Sequence, residues 1–200
     1  MGCGKKPTEE SVFDQGRPDV IKPSKPPAKT EAQIEAEKKV FAETKVKAEA
    51  GDATMQNSLG VYYDRGEGVD QDFKEAVKWY QKAADQGHAG AQYNLGLMYR
   101  NGQGVEQDIK EAVKWYQKAA DQGYAMAQSN LGVAYGMGKG VDQNYVTAYA
   151  WVSIATTNGN NIAPRFKSEF LEPRMTPEQI AKAEELFIEM VKKNPKLLNK

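Results

Sequence analysis

A pattern of 36 residues occurs three times in succession in this chain, and it constrains the fold more than any other feature. A shift of 36 residues places Leu95 on Leu59, and a second shift places it on Leu131. A period between about 20 and 50 residues is typical of solenoids, in which each repeat packs on its neighbours. The positions that keep the same residue in all copies are Leu59/95/131, Gly60/96/132, Tyr63/99/135, Gly66/102/138, Gly68/104/140, Val69/105/141 and Trp79/115/151.

Apolar residues within each copy have two runs of helical spacing, separated by a loop that contains glycine. In the second copy, from Gly87 to Gln122, the loop reads NGQGVEQD, and two glycines allow the chain to reverse. Asp108 is predicted to cap the second helix and to form a capping box with Glu111. Each repeat is therefore predicted to be a helix hairpin. The apolar positions of the second copy are Ala91, Leu95, Met98, Tyr99, Ala112, Trp115, Tyr116 and Ala119.

Glycine recurs in the middle of each first helix, at Gly60, Gly96 and Gly132. Glycine in a helix interior costs about 1 kcal/mol relative to alanine, so a repeated glycine needs a structural reason. We expect the partner helix to approach closely at this position. The three tryptophans are predicted to be large wedges between neighbouring helices.

The pattern A-x-A-Q-x-x-L-G-x-x-Y-x-x-G-x-G-V-x-x-D-x-x-x-A-x-x-W-Y-x-K-A-A-x-x-G resembles the Sel-one-like repeat, a relative of the tetratricopeptide repeat. Residues 89–123 match it fully, whereas the first copy has Met55 for an alanine and the third departs at Asn144, Val152 and Thr156. The resemblance implies an all-α protein, an α-α superhelix or solenoid of helix-hairpin repeats. It also implies that the first helices line a concave surface that binds proteins or peptides.

The flanks of the repeats carry different compositions. Residues 1–30 hold five of the nine prolines and are predicted to be a disordered tether. Residues 31–50 are predicted to be a capping helix, with Ile34, Phe41 and Ala48 one heptad apart. The three repeats are placed at residues 51–86, 87–122 and 123–158, and C-terminal capping helices at 159–200.

The third repeat loses a basic stripe that the first two share. Lys74, Lys78 and Lys82 recur as Lys110, Lys114 and Lys118, but the third copy has Val146, Ala150 and Ile154. This apolar face needs a cover, which only the C-terminal segment can supply. There Pro164 is predicted to open a short helix and Thr176 with Gln179 to cap a longer one. The predicted apolar stripe of the longer helix is Ile180, Ala183, Phe187, Met190 and Val191.

Composition argues against several function classes. The formal net charge is +0, so a nucleic-acid binder, which needs a concentrated basic surface, is disfavoured. His88 is the only histidine and Cys3 the only cysteine, so no zinc site, cofactor or catalytic set is predicted. His88 occupies a variable position and is interpreted as a loop residue.

Cys3 has three interpretations. Gly2-Cys3 followed by a proline-rich tether resembles the lipid-modified end of a bacterial lipoprotein whose signal peptide has been removed, with Met1 not the native start. N-myristoylation fits less well because position six is Lys6 rather than serine or threonine. Cys3 can also be an incidental terminal cysteine. The first interpretation predicts a location in the bacterial cell envelope with a lipid anchor as the membrane contact, and otherwise the protein is cytoplasmic.

The candidate binding surface lies on the first helices, at positions that vary between copies while the core repeats. At 100° per residue these positions fall about half a turn from Leu95 and Tyr99, and variation fits either recognition or unconstrained solvent positions. The leading hypothesis is a non-enzymatic scaffold that binds a protein or peptide. The alternatives are a cell-wall or β-lactam-binding hydrolase and a cytoplasmic signalling adaptor. The candidate residues are Asn57, Val61, Asp64, Arg65, Tyr93, Leu97, Arg100, Asn101, Ser129 and Val133.

Overall fold

Helices are the only regular secondary structure in residues 29–199, the part of the chain that the computed structural model describes. Almost all of the predicted tether, including Cys3, lies outside the described residues. The array is an α-α solenoid in which consecutive helices pack as hairpins. Its α-helices are α1 (Glu31–Glu49), α2 (Ala53–Arg65), α3 (Phe73–Asp85), α4 (Ala89–Asn101), α5 (Ile109–Ala120), α6 (Ala125–Met137), α7 (Tyr145–Thr157), α8 (Ala163–Phe166) and α9 (Pro177–Lys193). A π-helical turn (Lys167–Leu171) and 3-10 turns (Glu172–Arg174, Pro195–Leu197) complete the C-terminal segment.

The predicted caps begin the second helix of each repeat, but one half of the predicted capping box is wrong. Asp108 accepts a hydrogen bond from the Glu111 amide at 3.0 Å, and Asn144 caps α7 in the same way. The Glu111 side chain does not return to the cap; it pairs with Lys114 at 2.7 Å instead. A lysine one turn further along the helix therefore competes successfully for the carboxylate.

The mid-helix glycines make room for a side chain of the partner helix, as predicted. A Cβ at Gly96 would lie 2.6 Å from the ring of Tyr116, and one at Gly60 equally close to the ring of Tyr80. In the third repeat a Cβ at Gly132 would lie 2.3 Å from Val152. The close approach is thus between a side chain and a helix backbone.

The loops lock each repeat onto the one before it. Gly104 has a φ of +72°, and a Cβ there would lie 2.3 Å from the carbonyl oxygen of Phe73, at the start of α3. Gly140 has the same relation to Ile109. The second glycine of the loop therefore serves both the chain reversal and the spacing between repeats.

Buried glutamines connect the repeats in a regular hydrogen-bond ladder. Gln92 is 5% exposed, and its side-chain nitrogen donates to the Ala84 carbonyl at 3.2 Å, while its oxygen accepts from Gln122 at 2.8 Å. The same pair of bonds recurs at Gln56 and at Gln128. Because these amides are buried, their hydrogen bonds fix how one hairpin sits on the next.

The N-terminal helix covers the first repeat along one side only. Ala48 is buried, Phe41 makes edge contacts with the rings of Tyr62 and Tyr63, and Ile34 is 40% exposed. Thr30 and Gln33 form a capping box at its start. The burial of the three heptad residues thus increases along the helix, from Ile34 to Ala48.

The C-terminal segment covers the apolar face of the third repeat, as predicted. Ala150 and Ile154 are fully buried, and Val146 is half-buried. They pack with the apolar stripe of α9, where Ala183 is fully buried. Pro164 lies in the first turn of α8, and Thr176 with Gln179 forms the capping box of α9.

The last turn of the chain returns to the junction between the second and third repeats. Leu197 is 3% exposed, and its carbonyl accepts hydrogen bonds from Gln128 at 2.8 Å and Asn158 at 2.6 Å. The side chain of Asn194 donates to the Asp121 carbonyl at 2.8 Å. Residues 194–199, hereafter the clasp, therefore bind to the members of the glutamine ladder at this junction, Gln128 and Asn158.

Candidate functional site

The ten candidate residues on α2, α4 and α6, hereafter the first-helix surface, differ widely in exposure. Arg65 and Asn101 are exposed, and Ser129 is only 7% exposed. The others are half-buried. The surface is therefore a partly covered one, on which only a few side chains extend fully into solvent.

Three of these positions are not opposite the core, contrary to the expectation from a single helix. Val61 and Leu97 are each packed against a hydrophobic cluster that includes the next first helix, and Val133 against a cluster that includes the C-terminal segment. A helical wheel places them away from the core of their own hairpin, but it does not show the element that lies beside that hairpin. Leu97 thus supports the array as well as shaping its surface.

The polar groups of the first repeat on this surface are paired, one of them with a residue of the second repeat. The hydroxyl of Tyr80 donates a long hydrogen bond of 3.5 Å to Asp64, and Asn94 donates to the Asn57 oxygen at 3.0 Å. Burial raises the pKa of the Asp64 carboxyl, an effect that Tyr80 and Arg65 oppose. The guanidinium of Arg65 lies 3.6 Å from Glu67. The charged and polar side chains at this end of the surface are therefore paired with other side chains of the protein.

In the second repeat, aromatic rings dominate. The Tyr93 ring lies between those of Tyr116 and Tyr124, with ring centroids 5.9 and 5.2 Å apart. Burial raises the pKa of the Tyr93 hydroxyl, and the Arg100 charge opposes that shift. Arg100 Nε donates to Asn101 at 3.2 Å. This is the one part of the surface that combines half-buried aromatic area with a cationic side chain.

Two buried polar atoms in this cluster make no hydrogen bond of regular geometry within residues 29–199. They are the hydroxyl of Tyr116, which is 3% exposed, and Asn130 Nδ2. The Asn130 amide lies beside the hydroxyls of Tyr93 and Tyr116. Sequence reasoning missed both residues, although the 36-residue shift that aligns Asn94 with Asn130 was the available signal.

In the third repeat, the surface continues into the C-terminal segment. A Cβ at Gly136 would lie 3.0 Å from the Phe166 ring and 3.2 Å from Leu171. Asn160 caps the turn that leads into α8, accepting from the amides of Ile162 and Ala163. Ser129 and Val133 therefore lie at a closed, largely apolar end.

The residues singled out for other chemistry have structural roles. His88 is the N-cap of α4, where its Nδ1 accepts from the Ala91 amide at 3.1 Å. Asp72 and Asp108 cap α3 and α5. Within residues 29–199, no group of His, Cys, Asp or Glu is arranged to hold a metal ion, and no helix is long and apolar enough to cross a membrane.

The lysine stripe of the second helices lies outside this surface and is largely paired. Lys78 pairs with Glu75, and the ammonium groups of Lys82 and Lys118 lie over the Trp79 and Trp115 rings, 4.0 and 3.6 Å from the centroids. Lysine side chains thus shield the tryptophans of the first two repeats. In the third repeat, α9 covers the corresponding face instead.

Comparison with protein families matches the Sel1 repeat to residues 53–88, 89–124 and 125–160. The chain belongs to the Sel1 repeat family. Comparison with curated protein sequences gives no significant match. Sel1 repeats generally mediate protein–protein interactions, and proteins of this fold are generally non-catalytic scaffolds.

Two solved structures are similar to the chain. One is c5321, a protective antigen present in uropathogenic Escherichia coli strains with an SLR fold; it is 38% identical, with a TM-score of 0.71, over 78% of this chain. This chain spans only 34% of the length of that antigen. The other is a Sel1 repeat protein from Oxalobacter formigenes, 35% identical with a TM-score of 0.60, over 66% of this chain and 98% of that protein.

Proposed function

We propose that this protein is a non-enzymatic scaffold that binds a segment of a partner protein on its first-helix surface, centred on Tyr93 and Arg100. The supporting observation is the second repeat itself. There, the half-buried rings of Tyr93 and Tyr124 adjoin an arginine, on a repeat that packs against the repeats on both sides. Tyrosine and arginine are the residue types most enriched, with tryptophan, at binding hot spots.

The difference between repeats supports the same surface. Positions that build the hairpins keep their residues, whereas one position of the first-helix surface is Asp64, then Arg100, then Gly136. A surface with a different charge in each repeat can fix the direction and register of an extended partner. The lysine stripe offers less, because it repeats unchanged in the first two repeats.

The test is binding of peptides selected against the full chain from a random peptide display library. Changing Tyr93 and Arg100 together to alanine should weaken the selected peptides by tenfold or more, since such anchors often contribute about 2 kcal/mol each. Leu97 is left intact because it packs on the next repeat. The matched control changes Lys74, Lys78 and Lys82 to alanine and should bind normally. Loss of binding in the lysine variant alone would place recognition on the second helices.

We also propose that Cys3 carries a lipid that tethers the scaffold in a bacterial cell envelope. The proposal rests on the Gly2-Cys3 sequence followed by the proline-rich segment. Mass spectrometry of the protein made in a bacterium from its full natural reading frame should show an acylated Cys3, and Cys3→Ala should release the protein from membranes. An unmodified Cys3 in a soluble fraction would instead favour a cytoplasmic scaffold. Purified protein should not turn over a β-lactam.

A further inference from the structure

The three repeats place corresponding residues in the same frame, so each repeat can be compared with the others atom by atom. The rings of Tyr80 and Tyr116 lie in the same place, each about 2.6 Å from where a Cβ would stand on Gly60 or Gly96. Asn94 and Asn130 also correspond, because they are 36 residues apart. The same two polar donors, a tyrosine of one repeat and an asparagine of the next, therefore recur at the first and at the second junction between repeats, beside the first-helix surface.

The first repeat supplies an acceptor for each donor. The Tyr80 hydroxyl is directed at the Asp64 carboxylate, and Asn94 Nδ2 donates to Asn57 Oδ1. The junction of the third repeat with the C-terminal segment has no such donors, because Val152 and Phe166 occupy the two positions. Both ends of the surface are thus satisfied, one by polar pairing and the other by apolar packing.

At the junction of the second and third repeats the two donors recur, but the Asp64 carboxylate does not, and the Asn130 amide has only the Tyr93 and Tyr116 hydroxyls beside it. Arg100 stands where the first repeat has Asp64, and Tyr93 stands where it has Asn57. Among residues 29–199 the Tyr116 hydroxyl and Asn130 Nδ2 are buried and make no hydrogen bond of regular geometry, although the Asn130 amide lies close to both tyrosine hydroxyls. A buried donor without an acceptor costs roughly as much as a lost hydrogen bond, so such groups in native proteins generally have a reason.

We propose that the junction of the second and third repeats forms a binding site for a carboxylate group of the partner segment. One carboxylate oxygen accepts from the Tyr116 hydroxyl, the other accepts from Asn130 Nδ2, and the positive charge of Arg100 favours the anion. The carboxylate takes the place that Asp64 holds in the first repeat. The site deepens the proposed function and rests on it, because it lies on the first-helix surface.

The surroundings fit an entering side chain. Two half-buried side chains adjoin the donors: the Tyr93 ring contacts that of Tyr116, and the Arg100 charge acts on the Tyr116 hydroxyl. The nearby carboxylates Asp64 and Asp121 belong to other neighbourhoods: Asp64 accepts from Tyr80, and Asp121 accepts from Gln117 at 2.8 Å. A guanidinium and two neutral donors thus face the ligand.

The test is an NMR titration of the protein with capped amino acids at constant ionic strength. The signals observed are those of the Asn130 side-chain amide and the Gly96 backbone amide. Acetyl-glutamate amide should shift both signals in a saturable way, whereas the neutral acetyl-glutamine amide should not. Acetyl-glycine, which offers a terminal carboxylate, distinguishes a chain end from an acidic side chain. Equal shifts with the glutamine and glutamate probes would overturn the proposal.

Matched variants separate the site from general charge effects. Tyr116→Phe removes only the hydroxyl and should weaken the glutamate probe roughly tenfold, as expected for a hydrogen bond to a charged group. Tyr80→Phe, its counterpart in the first repeat, should leave the probe affinity unchanged. Arg100→Asp restores the internal acceptor of the first repeat and should abolish binding. The proposal fails if Tyr116→Phe, with an unchanged melting temperature, binds the probe as the wild type does.

The outcome is distinguishable from that of the broader proposal. If library peptides bind and depend on Tyr93 but not on the Tyr116 hydroxyl, the scaffold function stands and the carboxylate site is wrong. If the glutamate probe binds as described while no peptide is selected, the site stands and the peptide function is wrong.

Discussion

The second helices of the second and third repeats, α5 and α7, share one backbone fold and differ in what covers their outer face. On α5 that face carries Lys114 and Lys118, and the ammonium group of Lys118 lies over the Trp115 ring. On α7 the same positions are Ala150 and Ile154, both fully buried beneath α9. Position in the array therefore determines residue type: a repeat that is not followed by a cover solvates its outer face, and a repeat that is covered does not.

Removing the cover should have the largest effect. Deletion of residues 174–200 exposes Ala150 and Ile154 and removes the buried stripe of α9. Each fully buried large apolar side chain contributes about 1.5–3 kcal/mol, and a domain is stable by only about 5–15 kcal/mol in total. Calorimetry should no longer show a single cooperative transition, and light scattering should show aggregation. An unchanged melting transition would show that α9 is dispensable.

Exchanging the residue types of the two helices tests the comparison directly. Ile154→Lys places a charge under α9 and should destabilise by about 3 kcal/mol or more, because that charge is buried without a partner. Lys118→Ile, the reverse change on α5, should alter stability by about 0.5 kcal/mol or less. Urea unfolding of both variants measures the difference. Similar losses in the two variants would mean that the outer faces are equivalent after all.

Truncating the clasp should have a smaller effect. Leu197→Ala removes a buried side chain near the end of the chain and should cost about 2 kcal/mol. Hydrogen exchange should then accelerate at Gln128 and around Gly123, since the clasp covers that turn. Exchange that changes only within residues 194–199 would indicate that the clasp is not coupled to the ladder.

The smallest expected effect compares the ladder position that binds the clasp, at Asn158, with the equivalent position that does not, at Gln122. Asn158→Ala loses hydrogen bonds to Gln128, to Leu197 and from the Asn199 amide, and should cost about 1 to 2 kcal/mol. Gln122→Ala, its counterpart without a clasp, should cost less than 1 kcal/mol. Thermal melts of the two single variants provide the comparison, and a larger loss for Gln122→Ala would contradict it.

The period of 36 residues was enough to predict the hairpins, the glycine contacts and the cover over α7. These features follow from short-range spacing and from the need to bury an apolar face. The clasp was not predictable, because Asn194-Pro-Lys-Leu-Leu-Asn has no periodicity and its partners are distant in sequence.

The candidate site was predicted only in part. Tyr93 and Arg100 were identified from variation between copies, but Leu97 was placed on the wrong side of the packing because a single helix carries no information about its neighbour. Tyr116 and Asn130 were missed because their significance lies in an absent acceptor. That absence becomes visible only when the repeats are compared in three dimensions.

The clasp also determines how the array bears a mechanical load. A pull on the C-terminal end is transmitted first to the bonds of Leu197 with Gln128 and Asn158, and to that of Asn194 with Asp121. Force therefore enters at the middle of the array and does not begin by peeling α9 from α7. Rupture should need several bonds to break together, which makes the last repeat resist stretching more than a free terminal hairpin would.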